Sequence, residues 1–199
     1  MPSLTDVYLP FAFLHIENTA VIESSCAETV SQIDIGALYV SIPFPSYEYC
    51  MSVLDGSDEV TDLVIGSRVC PFENVTVLDL SVYPRLKTLV IGNNGFEYVT
   101  VFNITGLSEL ESVEIGMNSF THDNSESEET PDPIGSFFVK NCPKLKSLKI
   151  GKDSFSEYTV IEIESVDALE VIEMGELDKE SYSFYYASLE LKSILIHNE

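Results

Sequence analysis

The chain has 199 residues, 45% of them apolar, with 33 acidic against 10 basic side chains and a formal net charge of −23. That length and apolar content suit one domain or a short array and exclude a disordered chain. The charge repels nucleic acid and anionic membranes and favours basic or cation-bearing partners.

The first twenty residues hold a short apolar run interrupted by Asp6 and Pro10, and no Lys or Arg occurs before Arg68. The lack of a positive n-region predicts no secretory signal, hence a cytoplasmic chain. No stretch approaches the length of a membrane span. Residues 1–29 are expected to form an N-terminal cap or a first irregular coil.

From Val30 onward one phrase recurs. It appears as "VSQIDIG" at Val30, "VTDLVIG" at Val60, "LKTLVIGNNGF" at Leu86 and "LESVEIGMNSF" at Leu110. It continues as "LKSLKIGKDSF" at Leu145, "LEVIEMG" at Leu169 and a looser "LKSILIH" at Leu191. The closing glycines, Gly36, Gly66, Gly92, Gly116, Gly151 and Gly175, are 30, 26, 24, 35 and 24 residues apart. A period near 24 with local insertions reads as one solenoid coil per repeat.

Within each copy the apolar positions coincide. Leu86, Leu89 and Ile91 match Leu110, Val113 and Ile115, then Leu145, Leu148 and Ile150, then Leu169, Ile172 and Met174. Side chains alternate faces along a strand, so the last two of each set point inward. Each strand is expected to pair in parallel with its copy in the next coil. The glycine is expected to supply the backbone freedom that ends the strand. Asn94, Asn118 and Asp153 recur just after it, where a buried side-chain amide would satisfy the backbone groups of the turn. Phe96, Phe120 and Phe155, two residues on, are expected to roof the core.

A second apolar segment follows in each coil: "VTVLDL", "VTVFNI", "SFFVKN", "YTVIEI" and "SFYYAS". These are rich in β-branched and aromatic residues and predict short strands on the opposite wall. The acidic, proline-containing insertion at 121–133 lengthens one coil by 11 residues and predicts a solvated loop. Calcium is the sharper alternative there, but the glycine turn of a calcium loop is missing.

The run leucine, two residues, leucine, one residue, isoleucine, two residues, asparagine, one residue, phenylalanine resembles a leucine-rich repeat. The copies at Leu86 and Leu110 carry it fully; that at Leu145 has Asp153 for asparagine, and that at Leu169 loses both asparagine and phenylalanine. "NCPKLKSLKIGKDSF", with a cysteine ahead of the leucines, is similar to the surface-antigen branch found in bacteria and protists. The resemblance implies a mainly β leucine-rich-repeat solenoid over 30–199, with six to seven coils. It implies a parallel main sheet, short second strands opposite, and a macromolecule bound on the main sheet. It also implies a cell-surface or extracellular location.

If the coils stack, residues at one position form columns. One reads Lys87, Glu111, Lys146, Glu170 and Lys192, and another Glu114, Lys149 and Glu173, with alternating sign. Opposite charges on neighbouring strands are favourable and like charges are not. The lysine-rich stretch Lys140, Lys144, Lys146, Lys149 and Lys152 is therefore expected to balance glutamates rather than bind nucleic acid.

The candidate binding face comprises the outward residues of the main strands: Asp62, Val64, Thr88, Val90, Ser112, Glu114, Ser147, Lys149, Val171 and Glu173. Gln32 with Asp34, and Ser193 with Leu195, are expected to extend it at its two ends. Val64 and Val90 are expected to seed an apolar contact patch. The expected role is non-enzymatic protein binding or adhesion, with a protein partner of basic surface. A structural or surface-coat solenoid is the first alternative, with self-association through the C-terminal strand edge. A β-helix-like enzyme acting on polysaccharide is the second.

No cofactor, metal or catalytic residue is expected. His15, His122 and His197 are dispersed, and no nucleophile elbow, phosphate loop or zinc spacing occurs. Cys26, Cys50, Cys70 and Cys142 lack metal-type spacing and are expected to be buried or free thiols; disulfides in a surface protein are the alternative. The glycosylation-type triplets at Asn74 and Asn103 fit that alternative.

Overall fold

A computed structural model describes residues 47–121, 134–175 and 181–192, together with the backbone of three short strands nearer the N-terminus. The fold is mainly β, with parallel sheets stacked as a β-solenoid of about four turns. In chain order the elements are β1 (Asp6–Val7), β2 (Gln32–Ile33), β3 (Ala37–Val40) and helix α1 (Tyr47–Asp55). Strands β4 (Asp62–Ile65), β5 (Val77–Asp79), β6 (Thr88–Ile91), β7 (Val101–Thr105) and β8 (Ser112–Ile115) follow. The last are β9 (Gly135–Lys140), β10 (Ser147–Ile150), β11 (Tyr158–Glu164), β12 (Val171–Met174) and β13 (Ser188–Lys192).

The main sheet runs β12-β10-β8-β6-β4-β3 and the second sheet β13-β11-β9-β7-β5; the pairings within each are parallel. Alternating side chains fill the space between them. Leu63, Ile65, Leu89, Ile91, Val113, Ile115, Leu148 and Ile150 are buried from the main sheet. Leu78, Phe102, Ile104, Phe137, Val139, Ile161 and Ile163 meet them from the second.

The turns after β6, β8 and β10 each have two left-handed residues around one small one. Asn94 and Phe96 have φ of 57° and 58°, Asn118 and Phe120 51° and 56°, Asp153 and Phe155 58° and 59°. Asn and Asp tolerate this conformation; phenylalanine does so at a cost of roughly 1–2 kcal/mol. Stacking offsets that cost. Phe96, Phe120, Phe155 and Phe184 form a buried column with ring centroids 5.2, 4.6 and 4.8 Å apart and nearly parallel planes. Each such pair contributes about 0.5–1.5 kcal/mol beyond its burial.

Two expectations about this turn are corrected. The asparagine side chains do not hold it: Asn94 and Asn118 are exposed, and the buried polar groups are Ser119 and Ser154. Ser119 Oγ donates to Gly92 O (2.8 Å) and accepts from Gly95 N (3.2 Å). Ser154 Oγ donates to Gly116 O (2.7 Å) and accepts from Ser119 N (3.0 Å). Ser183 Oγ donates to Gly151 O (3.1 Å) and accepts from Ser154 N (3.3 Å). The ladder is therefore built mainly of serine hydroxyls, and Asp153 adds one bond to it, its Oδ1 accepting from Tyr182 N (2.8 Å).

Among the closing glycines Gly175 has the expected left-handed backbone, at φ 72°, but three others serve a different purpose. Gly92, Gly116 and Gly151 are not among the positive-φ residues. A Cβ on Gly116 would lie 2.6 Å from Gly92 C and 2.7 Å from Asn93 N, and one on Gly151 2.5 Å from Gly116 C. Glycine is required there because adjacent coils touch backbone to backbone.

The ends of the array also differ from expectation. The copy beginning at Val30 does not enter the main sheet: β2 pairs with β1, and Ala37 rather than Gln32 lies opposite Asp62. Gln32 thus leaves the column, and Asp34 falls outside the described residues. At the other end, "SFYYAS" forms a turn at 183–186, with Phe184 in the phenylalanine column. The second-sheet strand is β13, so Leu191 and Lys192 lie beside Ile163 and Glu164, not in the main sheet. Ser193 and Leu195 fall outside the described residues, as does 122–133 of the insertion.

The near end of the solenoid is closed by α1, whose Cys50 and Val53 are fully buried. Gly56 ends the helix at φ 72°, and a Cβ there would meet Val82 O at 2.6 Å. Tyr83 Oη donates to Val53 O (2.7 Å), fastening the helix to the first coils. Cys50 and Cys70 form a disulfide, which corrects the free-thiol expectation for this pair. Cys70 has φ 56° and occupies the place that phenylalanine takes in later coils. Cys142 is a buried free thiol whose pKa is raised by burial; Cys26 lies outside the described residues.

Candidate functional site

The outer face of the main sheet is built by the alternation that buries its other face. In register, Asp62, Thr88, Ser112, Ser147 and Val171 form one column, and Val64, Val90, Glu114, Lys149 and Glu173 the next. All ten sequence-predicted residues are therefore brought together on one face. Val64 and Val90 are half-buried rather than fully exposed, so the apolar seed is smaller than expected. Tyr39 of β3 occupies the register position beside Val64, a neighbour that the sequence did not suggest.

The charges on this face are organised by the stacking. Glu111 N donates to Lys87 O (2.8 Å), Lys146 N to Glu111 O (2.9 Å) and Glu170 N to Lys146 O (2.9 Å), so four of the five expected charge-column residues align. Lys192 is the exception, because it belongs to the second sheet.

Lys149 Nζ is 3.3 Å from Glu173 Oε2, Lys146 Nζ 3.5 Å from Glu111 Oε2, and Lys144 Nζ 2.7 Å from Glu109 Oε2. Lys140 pairs with Glu162, and Lys152 with Asp153 at 3.7 Å. Each of the five clustered lysines thus faces a carboxylate. Three of these pairs are exposed and two are half-exposed, so solvent screening keeps their contribution to stability small. Hydrogen bonding and charge from Lys144 lower the Glu109 pKa, and Lys140 likewise lowers that of Glu162.

A concavity lies on the outer face of the other sheet and was not legible in the sequence. It is a shallow trough of about 310 Å³ lined by Val77, Asp79, Val101, Asn103, Thr105, Phe138 and Lys140. Asn103 Nδ2 donates to Asp79 Oδ1 (3.0 Å), and Thr105 Oγ1 donates to Asn103 Oδ1. Lys140 Nζ lies 4.9 Å from the Phe138 ring centroid. Its polar groups largely bond to one another, which stitches neighbouring coils together.

Among the described residues, no group of three or more His, Cys, Asp or Glu side chains could hold a metal ion. Among the same residues, no helix is long and apolar enough to cross a membrane. The fold and face define a mainly β solenoid with an ordered, charged outer sheet. Compared with protein-family models, curated proteins and solved structures, the chain matches none.

Proposed function

We propose that this chain is a leucine-rich-repeat recognition module that binds a protein through the outer face of its main sheet. The observation that carries this is the alignment of ten outward residues into two unbroken columns. Half-buried Val64 and Val90 stand at one end, and charged Glu114, Lys149 and Glu173 at the other. A mixed apolar and charged surface of this kind supplies both contact area and register to a partner. The net charge of −23 favours a partner with a basic surface. The Cys50–Cys70 disulfide favours an oxidising compartment, in keeping with the surface-antigen resemblance.

The test reverses three charges together: Glu114→Lys, Lys149→Glu and Glu173→Lys. Partner capture should be lost while the circular dichroism spectrum and melting temperature stay unchanged. Undiminished capture by the folded variant would refute the assignment of this face.

One observation favours a second reading, in which stacking is itself the role. Ile172, Leu189 and Leu191 occupy inward positions of the edge strands β12 and β13, yet are 36%, 50% and 58% exposed. Apolar strand edges of this kind associate with other edges. Sedimentation should then show concentration-dependent self-association, abolished by Leu189→Lys with Leu191→Glu. A strict monomer over a wide concentration range would refute this.

A further inference from the structure

The chain carries two triplets of the N-glycosylation type, Asn74-Val75-Thr76 and Asn103-Ile104-Thr105, and the fold treats them differently. Asn74 is exposed and lies in a tight turn closed by Val75 N donating to Phe72 O (2.9 Å). Two residues before it, the half-buried ring of Phe72 packs edge-on against Tyr47, with centroids 5.3 Å apart. Tyr47 is itself 45% exposed, and Asn74 Nδ2 donates to its hydroxyl (2.9 Å). Thr76 is exposed on the far side of the turn. An asparagine, an exposed threonine hydroxyl and an aromatic surface therefore converge at one turn beside the capping helix.

Asn103 has none of this. It lies within β7, in register between Asp79 and Phe138, and its amide bonds Asp79 and receives the Thr105 hydroxyl. A sugar on Asn103 would have to replace the trough's internal hydrogen bonds.

We propose that Asn74 is a site of N-linked glycosylation, and that the first sugar of its glycan packs against the Phe72 ring across the turn. The Cys50–Cys70 disulfide supports the compartment this requires, since disulfides persist where the environment is oxidising. The donor is a lipid-pyrophosphate-linked oligosaccharide. Asn74 Nδ2 forms a bond to the sugar C1 as the C1–O bond to pyrophosphate breaks. Nδ2 gives up one proton, and the lipid pyrophosphate leaves. The C–H face of an N-acetylhexosamine is apolar enough to lie on an aromatic ring, while its hydroxyl and acetamide groups remain in water. The glycan would cover part of the apolar surface that Phe72 and Tyr47 expose beside α1. This inference is independent of the recognition role proposed for the main sheet.

The test uses the full chain expressed through a eukaryotic secretory pathway as wild type, Asn74→Gln, Asn103→Gln and Phe72→Ala. Glycan is read in both cell extract and medium. Wild type and Asn103→Gln should shift in gel mobility on treatment with peptide-N-glycosidase F, and Asn74→Gln should not. Enzymatic release in oxygen-18 water should label position 74. Absence of glycan from the wild type, or equal labelling at 103, would overturn the site. A second readout tests the aromatic contact: release should lower the wild-type melting temperature by several degrees but leave that of Phe72→Ala unchanged. An equal drop in both would overturn the packing on Phe72.

Discussion

Replacing Ser119 with alanine removes one oxygen from a buried site and leaves almost no cavity, so the cost measures the hydrogen bonds alone. Ser119 Oγ serves two backbone groups, the Gly92 carbonyl at 2.8 Å and the Gly95 N–H at 3.2 Å. Ser119 is fully buried, so water cannot replace the hydroxyl. Each orphaned group costs about 1–3 kcal/mol, which gives an expected loss of about 2–6 kcal/mol for Ser119→Ala. The matching substitution is Asn118→Gly. Asn118 is exposed at φ 51°, a conformation that glycine adopts freely, so this variant should stay within about 0.5 kcal/mol of wild type. Urea unfolding followed by far-ultraviolet circular dichroism measures both, with unchanged m values confirming comparable denatured states. If Asn118→Gly lost more than about 1 kcal/mol while Ser119→Ala stayed near wild type, the turn would be held by the asparagine amide and the serine ladder would be refuted.

Gly116→Ala should lose about 1–3 kcal/mol in the same assay, because its Cβ would enter backbone of the preceding coil; a neutral result would remove the close-approach argument. Phe155→Ala should lose about 3–5 kcal/mol, since this buried ring stacks on both Phe120 and Phe184, and a loss under 1 kcal/mol would deny the column its role. Cys50→Ser with Cys70→Ser should lose about 3 kcal/mol by the loop-entropy account of a bridge across 20 residues, read from the urea midpoint against oxidised protein. Alkaline pH should also destabilise the fold. Burial raises the pKa of Tyr83 and Tyr158 above the ordinary 10.0, so their neutral forms favour the native state. That contribution is fully present below pH 10 and falls by about 1.4 kcal/mol per pH unit per tyrosine as pH climbs toward the folded values. Stability measured from pH 9 to 11 should show this slope, and Tyr158→Phe should reduce it; an unchanged slope would count against the buried phenol.

The candidate face was legible in advance because its signals are local and repeated. Alternation of apolar and polar residues decided which side of each strand points out, and spacing near 24 residues decided which residues sit side by side. Glu114, Lys149 and Glu173 could therefore be placed together from the sequence. The same logic failed at Leu191 because Leu191-Lys192-Ser193 matches two templates, the Leu145-Lys146-Ser147 main strand and the Ile163-Glu164-Ser165 second strand. Only the position of Phe184 over Phe155 decides between them. The trough went unseen because Asp79, Asn103, Phe138 and Lys140 carry no shared motif; parallel pairing alone makes them neighbours.

By itself, the sequence determined the period, the inward residues and the charge register of the central coils, since each follows from alternation along a strand and repetition along the chain. The tertiary structure decided what lies between adjacent coils. It selected the serine over its asparagine neighbour to hold each turn, imposed glycine through backbone contact, and joined Cys50 of the cap to Cys70 of the first coil. Those choices depend on φ angles and on separations of a few ångströms across the stack, and residue order carries neither.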